Sequence, residues 1–238
     1  MLDLGGKVAI VTGGSRGIGR AIAQMLASHG AAVAVTARRE ADAERAAAAV
    51  AAAGPGRTLG VACDVRSWEE CRALVERTTA ELGRLDVLVN NAGVGVFAPL
   101  AAMTLDDWRL QIGTNLDGVF HCCRAALAHL VASEGWIVNV GSLAGRNAFA
   151  GGTAYNASKF GLLGFSEALM LEVRQRGVRV ACVMPGSVAT DFGSGATDDT
   201  GWKLRPEDVA EVVRDLLAFP ARALPSRVEI RPSRPPSK

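Results

Sequence analysis

Short apolar runs alternate with helix-type segments along the whole chain, and this alternation constrains the fold more than any other feature. The runs are strand-like, and they cover residues 8–11, 32–36, 59–63, 86–89, 135–140, 178–183 and, as an edge strand, 227–230. Strands that alternate with helices form βαβ units and a parallel sheet. Near-continuous apolar strands fit such a sheet because helices cover both of its faces. The pattern predicts an α/β fold with a mostly parallel sheet.

The helical segments lie between these strands, and they are predicted at residues 18–29, 41–53, 67–82, 105–131, 153–176 and 206–218. Ser67 is the expected N-cap of its helix, with Glu70 as capping-box partner, and Gly113 predicts a bend in the longest segment. Because no Pro/Gly/Ser-rich linker interrupts residues 1–230, we predict one domain there. The polar, proline-rich tail at 231–238 is expected to be extended or mobile.

Composition and charge exclude several classes of function. The net charge of the 238-residue chain is +2, without a basic stripe, which argues against nucleic-acid binding. No apolar run reaches the roughly 18 residues that a membrane-spanning helix needs, and no signal peptide is visible. The five cysteines form no CxxC pair, and the three histidines lack metal-ligand spacing. We therefore expect a cytoplasmic protein without a metal, nucleic-acid or membrane partner.

A glycine-rich loop follows the first strand and opens the first helix, which is where a doubly wound fold binds a dinucleotide pyrophosphate. Gly13 is expected to allow the tight turn, Gly17 to let the backbone approach the phosphates, and Gly19 to let helix and strand pack closely. The N-terminus of the helix offers free N–H groups to an anion. The spacing is GxxxGxG rather than the commoner GxGxxG.

The end of the second strand favours NADP(H) over NAD(H). Dinucleotide folds that bind NAD place an acidic residue there, but this chain has Ala37 followed by Arg38 and Arg39. Arg16 in the glycine-rich loop adds a further cation, and guanidinium groups suit a 2′-phosphate. Asp64, after the third strand, is suited to accept a hydrogen bond from the adenine amino group.

Tyr155 and Lys159 are four residues apart and therefore share one face of a helix. A neighbouring ammonium favours the phenolate, so we expect the pKa of Tyr155 to be lowered, which suits proton exchange with a carbonyl or alcohol oxygen. Ser142 lies thirteen residues earlier, at the end of the fifth strand, and its hydroxyl could polarise the substrate oxygen. The alternative, a serine nucleophile, has no GxSxG context and no evident histidine base. Asn115 on its own predicts only a structural role.

With these motifs the chain resembles the classical short-chain dehydrogenases/reductases over nearly its whole length. Within that family it is similar to members of the 3-oxoacyl-acyl-carrier-protein reductase type. The matching segments are Thr12–Gly19, Asn90–Gly93, Asn115, Ser142, Tyr155–Lys159 and Pro185–Gly186. The resemblance implies a Rossmann-like doubly wound sheet of seven parallel strands in three α/β/α layers. It also implies an Asn115-Ser142-Tyr155-Lys159 catalytic tetrad, in which Asn115 holds a water that connects Lys159 to solvent.

The resemblance extends to the cofactor site and to the assembly. The cofactor-binding residues are then Gly13, Ser15, Arg16, Gly17, Ile18, Gly19, Arg38, Asp64, Val65, Asn91, Ala92, Gly93, Tyr155, Lys159, Pro185, Gly186, Val188 and Thr190. In such a family residues 191–203 form a substrate lid, which here is short, and the long helices suggest a homodimer or homotetramer. The C-terminus departs from the glycine-rich end of many relatives.

The expected function is NADPH-dependent reduction of a small-molecule ketone, aldehyde or 3-oxoacyl group, with Tyr155 as acid and base. Oxidation of a secondary alcohol by the same residues stays open, because the residues do not choose the direction. A non-catalytic NADP(H) sensor also stays open, although it would have no need of Tyr155 and Lys159. Phe97, Leu143, Phe149 and Phe192 are candidates for an apolar pocket wall or for packing.

Overall fold

Seven parallel strands form one sheet in the computed structural model, which describes residues 2–192 and 201–236. The strands are β1 (Val8–Val11), β2 (Ala32–Ala37), β3 (Thr58–Ala62), β4 (Val87–Asn90), β5 (Trp136–Val140), β6 (Arg179–Pro185) and β7 (Arg227–Ile230). Their order across the sheet is β3-β2-β1-β4-β5-β6-β7. The predicted doubly wound sheet is confirmed, and so is the edge strand β7, which pairs parallel to β6.

Helices cover both faces of this sheet. They are α1 (Gly17–Ser28), α2 (Glu40–Ala51), α3 (Trp68–Leu82), α4 (Leu105–Ile112), α5 (Gly118–Ser133), α6 (Thr153–Val173) and α7 (Pro206–Ala218). Successive side chains of a strand point to opposite faces. Ala9 and Val11 of β1 accordingly belong to the apolar core beneath α1, α2 and α7, whereas Ile10 belongs to the core beneath α3, α5 and α6. The three-layer α/β/α architecture is confirmed.

The long fourth helical segment is not one helix. A π-helical turn, Gly113–Asp117, separates α4 from α5, at the place where Gly113 predicts a bend. The π turn contains Asn115, whose buried side chain is hydrogen-bonded to the backbone of Val94 in another part of the chain. A tertiary contact therefore accompanies the irregularity, and π turns of this kind are frequent at functional sites.

Two local predictions need correction. Ser67 caps α3 by accepting a hydrogen bond from the Glu70 backbone N–H at 3.2 Å, as expected. The Glu70 carboxylate, however, accepts from the backbone N–H of Asp64 at 2.7 Å, so the reciprocal capping box is wrong and Glu70 anchors the preceding turn. The helix predicted at residues 153–176 ends as an α-helix at Val173, and a 3₁₀ turn, Arg174–Arg176, follows it.

The C-terminal residues run past the sheet without forming a further element as far as residue 236. Arg231, Pro232, Pro235 and Pro236 lie along the same cleft as the glycine-rich loop. β7 ends at Ile230, and the division into a domain at 1–230 and a tail at 231–238 stays a prediction.

Candidate active site

A large cleft opens at the carboxyl ends of the strands, where the strand order reverses between β1 and β4. Ligands of open α/β sheets bind at such a switch point. The cleft has a volume of about 2110 Å³, against roughly 300–1,000 Å³ for an ordinary small-molecule pocket. It is therefore large enough for a dinucleotide together with a substrate. All the predicted site residues except Gly19 and Asn115 line it.

The glycine-rich loop has the backbone conformation that its glycines predict. Gly13 has a backbone φ of +63° and Gly17 one of +53°, values that residues with a side chain rarely adopt. A Cβ atom on Gly19 would lie 2.3 Å from Asn91 Nδ2 and 2.5 Å from the Gly13 carbonyl oxygen. Gly19 thus permits close packing beneath the loop rather than lining the cleft. Ser15 and Ile18 lie in the same loop on the cleft side.

Two buried threonines hold this loop in place, and the sequence patterns assign no role to either hydroxyl. The Thr12 hydroxyl accepts hydrogen bonds from the backbone N–H groups of Asn91 and Ala92, at 3.0 and 3.1 Å. The Thr36 hydroxyl accepts one from the Gly13 N–H at 3.2 Å. Asn91 donates in return to the carbonyl oxygens of Thr12 and Gly13. The signal that could have found them is a threonine at the carboxyl end of each strand.

Arginine side chains line the end of the cleft beside β2. Arg38 is exposed and, among the described residues, has no carboxylate within ion-pair distance. Arg39 is paired with Asp42 through its Nε at 2.5 Å, and Arg45 binds the same carboxylate. Arg16 lies 3.9 Å from Asp191, with 70% of its side chain exposed. Arg38 and Arg16 are therefore the cations most accessible to an anionic ligand.

Asp64 is less free than the sequence suggests. The Arg66 Nε lies 3.0 Å from both carboxylate oxygens, and the Arg66 backbone N–H donates to Asp64 Oδ1 at 3.0 Å. This pairing holds the pKa of Asp64 below its usual value. A ligand that reached Asp64 would therefore compete with Arg66, which sequence reasoning did not single out. Val65, beside it, is buried.

Tyr155 and Lys159 both lie on the first turns of α6 and face the cleft. Tyr155 is 9% exposed, and Lys159 is 6% exposed. The Lys159 ammonium donates to the carbonyl oxygen of Val140, the last residue of β5, at 2.9 Å and lies 5.9 Å from the centre of the Tyr155 ring. Ser142 lies beyond the same strand, and its hydroxyl accepts from the Ala144 N–H at 3.1 Å. The structure thus brings Ser142, Tyr155 and Lys159 together in one cleft, as their spacing in the sequence predicts.

The expectation about the acidity of Tyr155 is wrong for the protein without ligand. Burial raises the pKa of Tyr155, and only the side chain of Ser142 opposes this shift. Burial also lowers the pKa of Lys159 to about 8. The Lys159 ammonium is hydrogen-bonded to the carbonyl oxygen of Val140 and not to the phenol, so it does not offset the effect of burial on Tyr155. The phenol is consequently protonated at neutral pH and fit to donate.

Asn115 lies behind the cleft instead of in it. Its Oδ1 accepts from the Val94 N–H at 2.8 Å, and its Nδ2 donates to the Val94 carbonyl at 2.9 Å and to the Ser158 hydroxyl at 3.0 Å. A Cβ atom on Gly93 would lie 3.3 Å from Asn115 Oδ1 and 4.0 Å from Lys159 Nζ. Asn115 therefore fixes the segment that follows β4 next to Lys159. The partner Ser158 has no sequence signal beyond its place before Lys159.

The segment after β6 crosses the cleft toward the glycine-rich loop. Pro185 ends the strand, and the Gly186 N–H donates to the carbonyl of Ile230 at 2.8 Å. Val188 forms an isolated bridge with Leu204. The methyl group of Thr190 lies 3.2 Å from the position of a Cβ on Gly17. Of the predicted lid at 191–203, residues 193–200 lie outside the described part of the chain.

Comparison with protein families and known proteins agrees with this geometry. Residues 7–201 match the family model described as short chain dehydrogenase. The chain belongs to the short-chain dehydrogenase family. It is an oxidoreductase of that family, as the motifs predict.

Relatives of known name extend over nearly the whole chain. A protein of Xenopus tropicalis named carbonyl reductase family member 4 is 40% identical, and the match covers 90% of this chain and 92% of that protein. A 3-oxoacyl-[acyl-carrier-protein] reductase of Synechocystis is 36% identical, with 94% of each chain covered.

Solved structures of related proteins superpose on nearly the whole chain. A metagenomic short-chain oxidoreductase in complex with NADP has a TM-score of 0.85 and 39% identity, over 98% of this chain and 99% of that one. An alcohol dehydrogenase of the archaeon Thermococcus sibiricus, complexed with 5-hydroxy-NADP, has a TM-score of 0.90 and 29% identity, over 98% and 99%. The fold of the family is therefore shared in full.

No helix in residues 2–192 and 201–236 is long and apolar enough to cross a membrane. Within the same ranges, no group of three or more His, Cys, Asp or Glu side chains is arranged to hold a metal ion.

Proposed function

We propose that the protein is an NADPH-dependent carbonyl reductase in which Tyr155 donates the proton. The observation that carries the proposal is the placement of the protonated Tyr155 phenol, with Ser142 and Lys159, in the cleft that the glycine-rich loop also lines. A ketone, an aldehyde or a 3-oxoacyl group presents the carbonyl oxygen that such a phenol can protonate.

The residues of the cleft fit NADP(H). The N-terminus of α1 has no side-chain cap, which leaves backbone N–H groups for a pyrophosphate. A 2′-phosphate would meet the exposed side chains of Arg38 and Arg16. The end of β2 carries Ala37, where an acidic residue would repel that phosphate. Asp64 and Val65 would flank the adenine, and Asn91, Ala92 and Gly93 the adenosine ribose. Pro185, Gly186, Val188 and Thr190 would cover the nicotinamide.

The chemistry divides between cofactor and protein. When bound, NADPH would supply the hydride that the carbonyl carbon accepts. Tyr155 donates its phenolic proton to the carbonyl oxygen, and Ser142 donates a hydrogen bond to the same oxygen, so both donors act where negative charge grows. Lys159, whose pKa is near 8, is charged at neutral pH and stabilises the phenolate that remains. Asn115 holds the segment that packs beside Lys159.

The exposed apolar side chains and the cysteines support two further proposals, on the oligomeric state and on the location of the protein. We propose a homo-oligomer, because the outer faces of α5 and α6 expose Phe120, Phe160 and Leu171. We also propose a cytoplasmic location, because all five cysteines are free and buried, as in a reducing compartment.

A screen for NADPH oxidation tests the function. The purified protein is offered ketones, aldehydes, quinones and 3-oxoacyl thioesters, with NADH as the matched cofactor control. We expect oxidation of NADPH in the presence of at least one carbonyl class. Binding of NADPH without reduction of any carbonyl would favour a sensor and contradict the proposal.

A further inference from the structure

Two phenylalanine rings flank Tyr155 and a third packs against one of them, although the three come from separate loops. Phe97 follows β4, Phe149 precedes α6, and Phe192 follows β6. The Tyr155 ring centre lies 5.4 Å from that of Phe97, at an interplanar angle of 80°, and 5.8 Å from that of Phe192, at 55°. The rings of Phe97 and Phe149 are 5.7 Å apart. We name Phe97, Phe149 and Phe192 the aromatic wall.

The aromatic wall faces the cleft rather than the core. Its members are 49%, 46% and 43% exposed, in the order Phe97, Phe149, Phe192, and all three line the cleft beside the buried phenol. Packing inside the protein therefore leaves nearly half of each ring uncovered. A ligand that occupies the cleft beside Tyr155 can contact these uncovered ring surfaces.

Glycines keep the space around the wall free. A Cβ atom on Gly95 would lie 2.8 Å from Phe192 Cε1 and 3.0 Å from Phe97 Cζ. A Cβ atom on Gly152 would lie 2.6 Å from the Phe149 ring. Any side chain at either position would push the rings out of their present arrangement, so the arrangement depends on backbone as well as on the rings themselves.

We propose that the substrate is an aryl ketone or aldehyde, with an aromatic ring bonded directly to the carbonyl carbon, and that the aromatic wall selects it. This inference rests on the proposed function, because Tyr155 must reach the carbonyl oxygen. The group bonded to that carbon then lies within one ring-to-ring distance of the wall. Edge-to-face and offset contacts favour an aromatic ring over an aliphatic group of the same size.

Charge and shape of the wall argue for a neutral, compact group. Each of the three positions presents a hydrocarbon ring, so the wall offers no ionic partner to a charged substituent. A flexible acyl chain would bury apolar surface here but would gain none of the ring contacts. An aryl substrate and an aliphatic substrate of the same size should therefore differ in kcat/KM, in favour of the aryl substrate.

A pair of ketones isolates that preference. The ratio of kcat/KM for acetophenone to that for cyclohexyl methyl ketone is measured in the wild type and in Phe97→Leu, Phe149→Leu and Phe192→Leu. Leucine keeps an apolar side chain but removes the ring, and the comparison between enzymes cancels the different intrinsic reactivity of the two ketones. We expect the ratio to fall about 2- to 10-fold in each variant.

Phe219→Leu is the matched control, because Phe219 is equally exposed, at 43%, but lies at the end of α7 and does not line the cleft. Its ratio should equal that of the wild type. An unchanged ratio in all three wall variants would overturn the inference while leaving the reductase itself intact.

A binding measurement separates the inference from the proposed function. If the wild type reduces neither ketone nor any other carbonyl, the proposed function fails, and the two ketones are compared as ligands of the protein saturated with NADP⁺ by saturation-transfer NMR. Tighter binding of acetophenone, weakened in Phe149→Leu but not in Phe219→Leu, would support the aromatic wall. Equal binding of the two ketones would refute it.

Discussion

The Tyr155 hydroxyl is the atom whose removal should stop turnover without disturbing the cofactor site. Tyr155→Phe keeps the ring, and with it the contacts to Phe97 and Phe192. General acid catalysis contributes about 10²- to 10⁴-fold, so we expect kcat to fall at least 100-fold. NADPH binding, followed by fluorescence titration, should be unchanged. A variant that retained substantial turnover would contradict the assignment of the acid.

Arg38 should set the preference between the two nicotinamide cofactors. Arg38→Asp replaces an exposed guanidinium with a carboxylate that can accept a hydrogen bond from a ribose hydroxyl and that repels a phosphate. A charge-assisted hydrogen bond contributes about 1.5–3 kcal/mol, so the NADPH/NADH ratio of kcat/KM should fall roughly 10- to 100-fold. Arg39→Asp makes the same charge change at a residue already paired with Asp42 and should shift the ratio less. Equal shifts of the ratio in both variants would contradict the assignment of the cofactor preference to Arg38.

Lys159 should leave a signature in the pH dependence of stability. Its pKa is about 8 in the folded protein against 10.5 for the free side chain. Below pH 8 both states hold the proton, so burial of the ammonium destabilises the fold by a constant amount. Between pH 8 and 10.5 the folded state has released a proton that the unfolded state keeps, so stability rises, by up to about 1.4 kcal/mol per pH unit.

Urea unfolding at pH 7, 8, 9 and 10 measures this effect, with Lys159→Met as the variant that lacks the titrating group. The free energy of unfolding of the wild type relative to Lys159→Met should be constant below pH 8 and increase above it. A difference that stays flat, or that decreases, across pH 8–10 would show that the ammonium is not destabilised by its burial.

At the residue scale the sequence predicted which residues share the cleft but not their electrostatics. The YxxxK spacing is enough to place Tyr155 and Lys159 on one side of α6. The direction of the pKa shift depends on burial and on the carbonyl of Val140, which lies nineteen positions before Lys159. The pairing of Asp64 with Arg66 likewise depends on a turn conformation. Such contacts are set by the folded backbone and have no periodic signal.

At the scale of the elements, the cap of α3 offers a direct test of how local sequence stabilises the fold. Ser67→Ala removes the side-chain oxygen that accepts from the Glu70 N–H, and loss of such a cap costs about 1 kcal/mol. We expect thermal or urea unfolding to show that loss. Ser67→Asp, which keeps an acceptor at the same position, should be close to the wild type. Equal destabilisation by both substitutions would mean that the hydroxyl is not an effective cap.

The strands were more predictable than the interruptions of the helices. Each apolar run is short and bounded by a turn, so all seven predicted strands appear within one or two residues of their expected ends. The π turn Gly113–Asp117 differs, because Gly113 predicts a bend there but not its π-helical conformation. The bond between Asn115 and Val94, twenty-one positions away, holds the turn in place. Sequence periodicity carries no information about such a bond.

At the scale of the whole molecule, the two faces of the sheet lead to different surfaces. α1, α2 and α7 cover one apolar core. α5 and α6, on the other face, also carry large apolar side chains on their outer sides, with Phe120 44% and Leu171 56% exposed. Surfaces of this kind mark places where proteins associate. The candidate active-site cleft opens at the carboxyl ends of the strands, so association through these helices would leave the cleft accessible.

Light scattering coupled to size exclusion tests the homo-oligomer. The wild type should elute with the mass of two or four 24.7 kDa chains. Phe120→Glu and Leu171→Glu each place a carboxylate where an interface would bury it without a partner, which costs several kcal/mol, so each should shift the protein toward the monomer. Phe219→Glu makes the same change at an exposed phenylalanine beyond α7 and should not. A monomeric wild type, or a mass unchanged by substitution on α5 and α6, would exclude this surface as the interface. Because the cleft is lined within one chain, NADPH binding by the monomeric variants should persist.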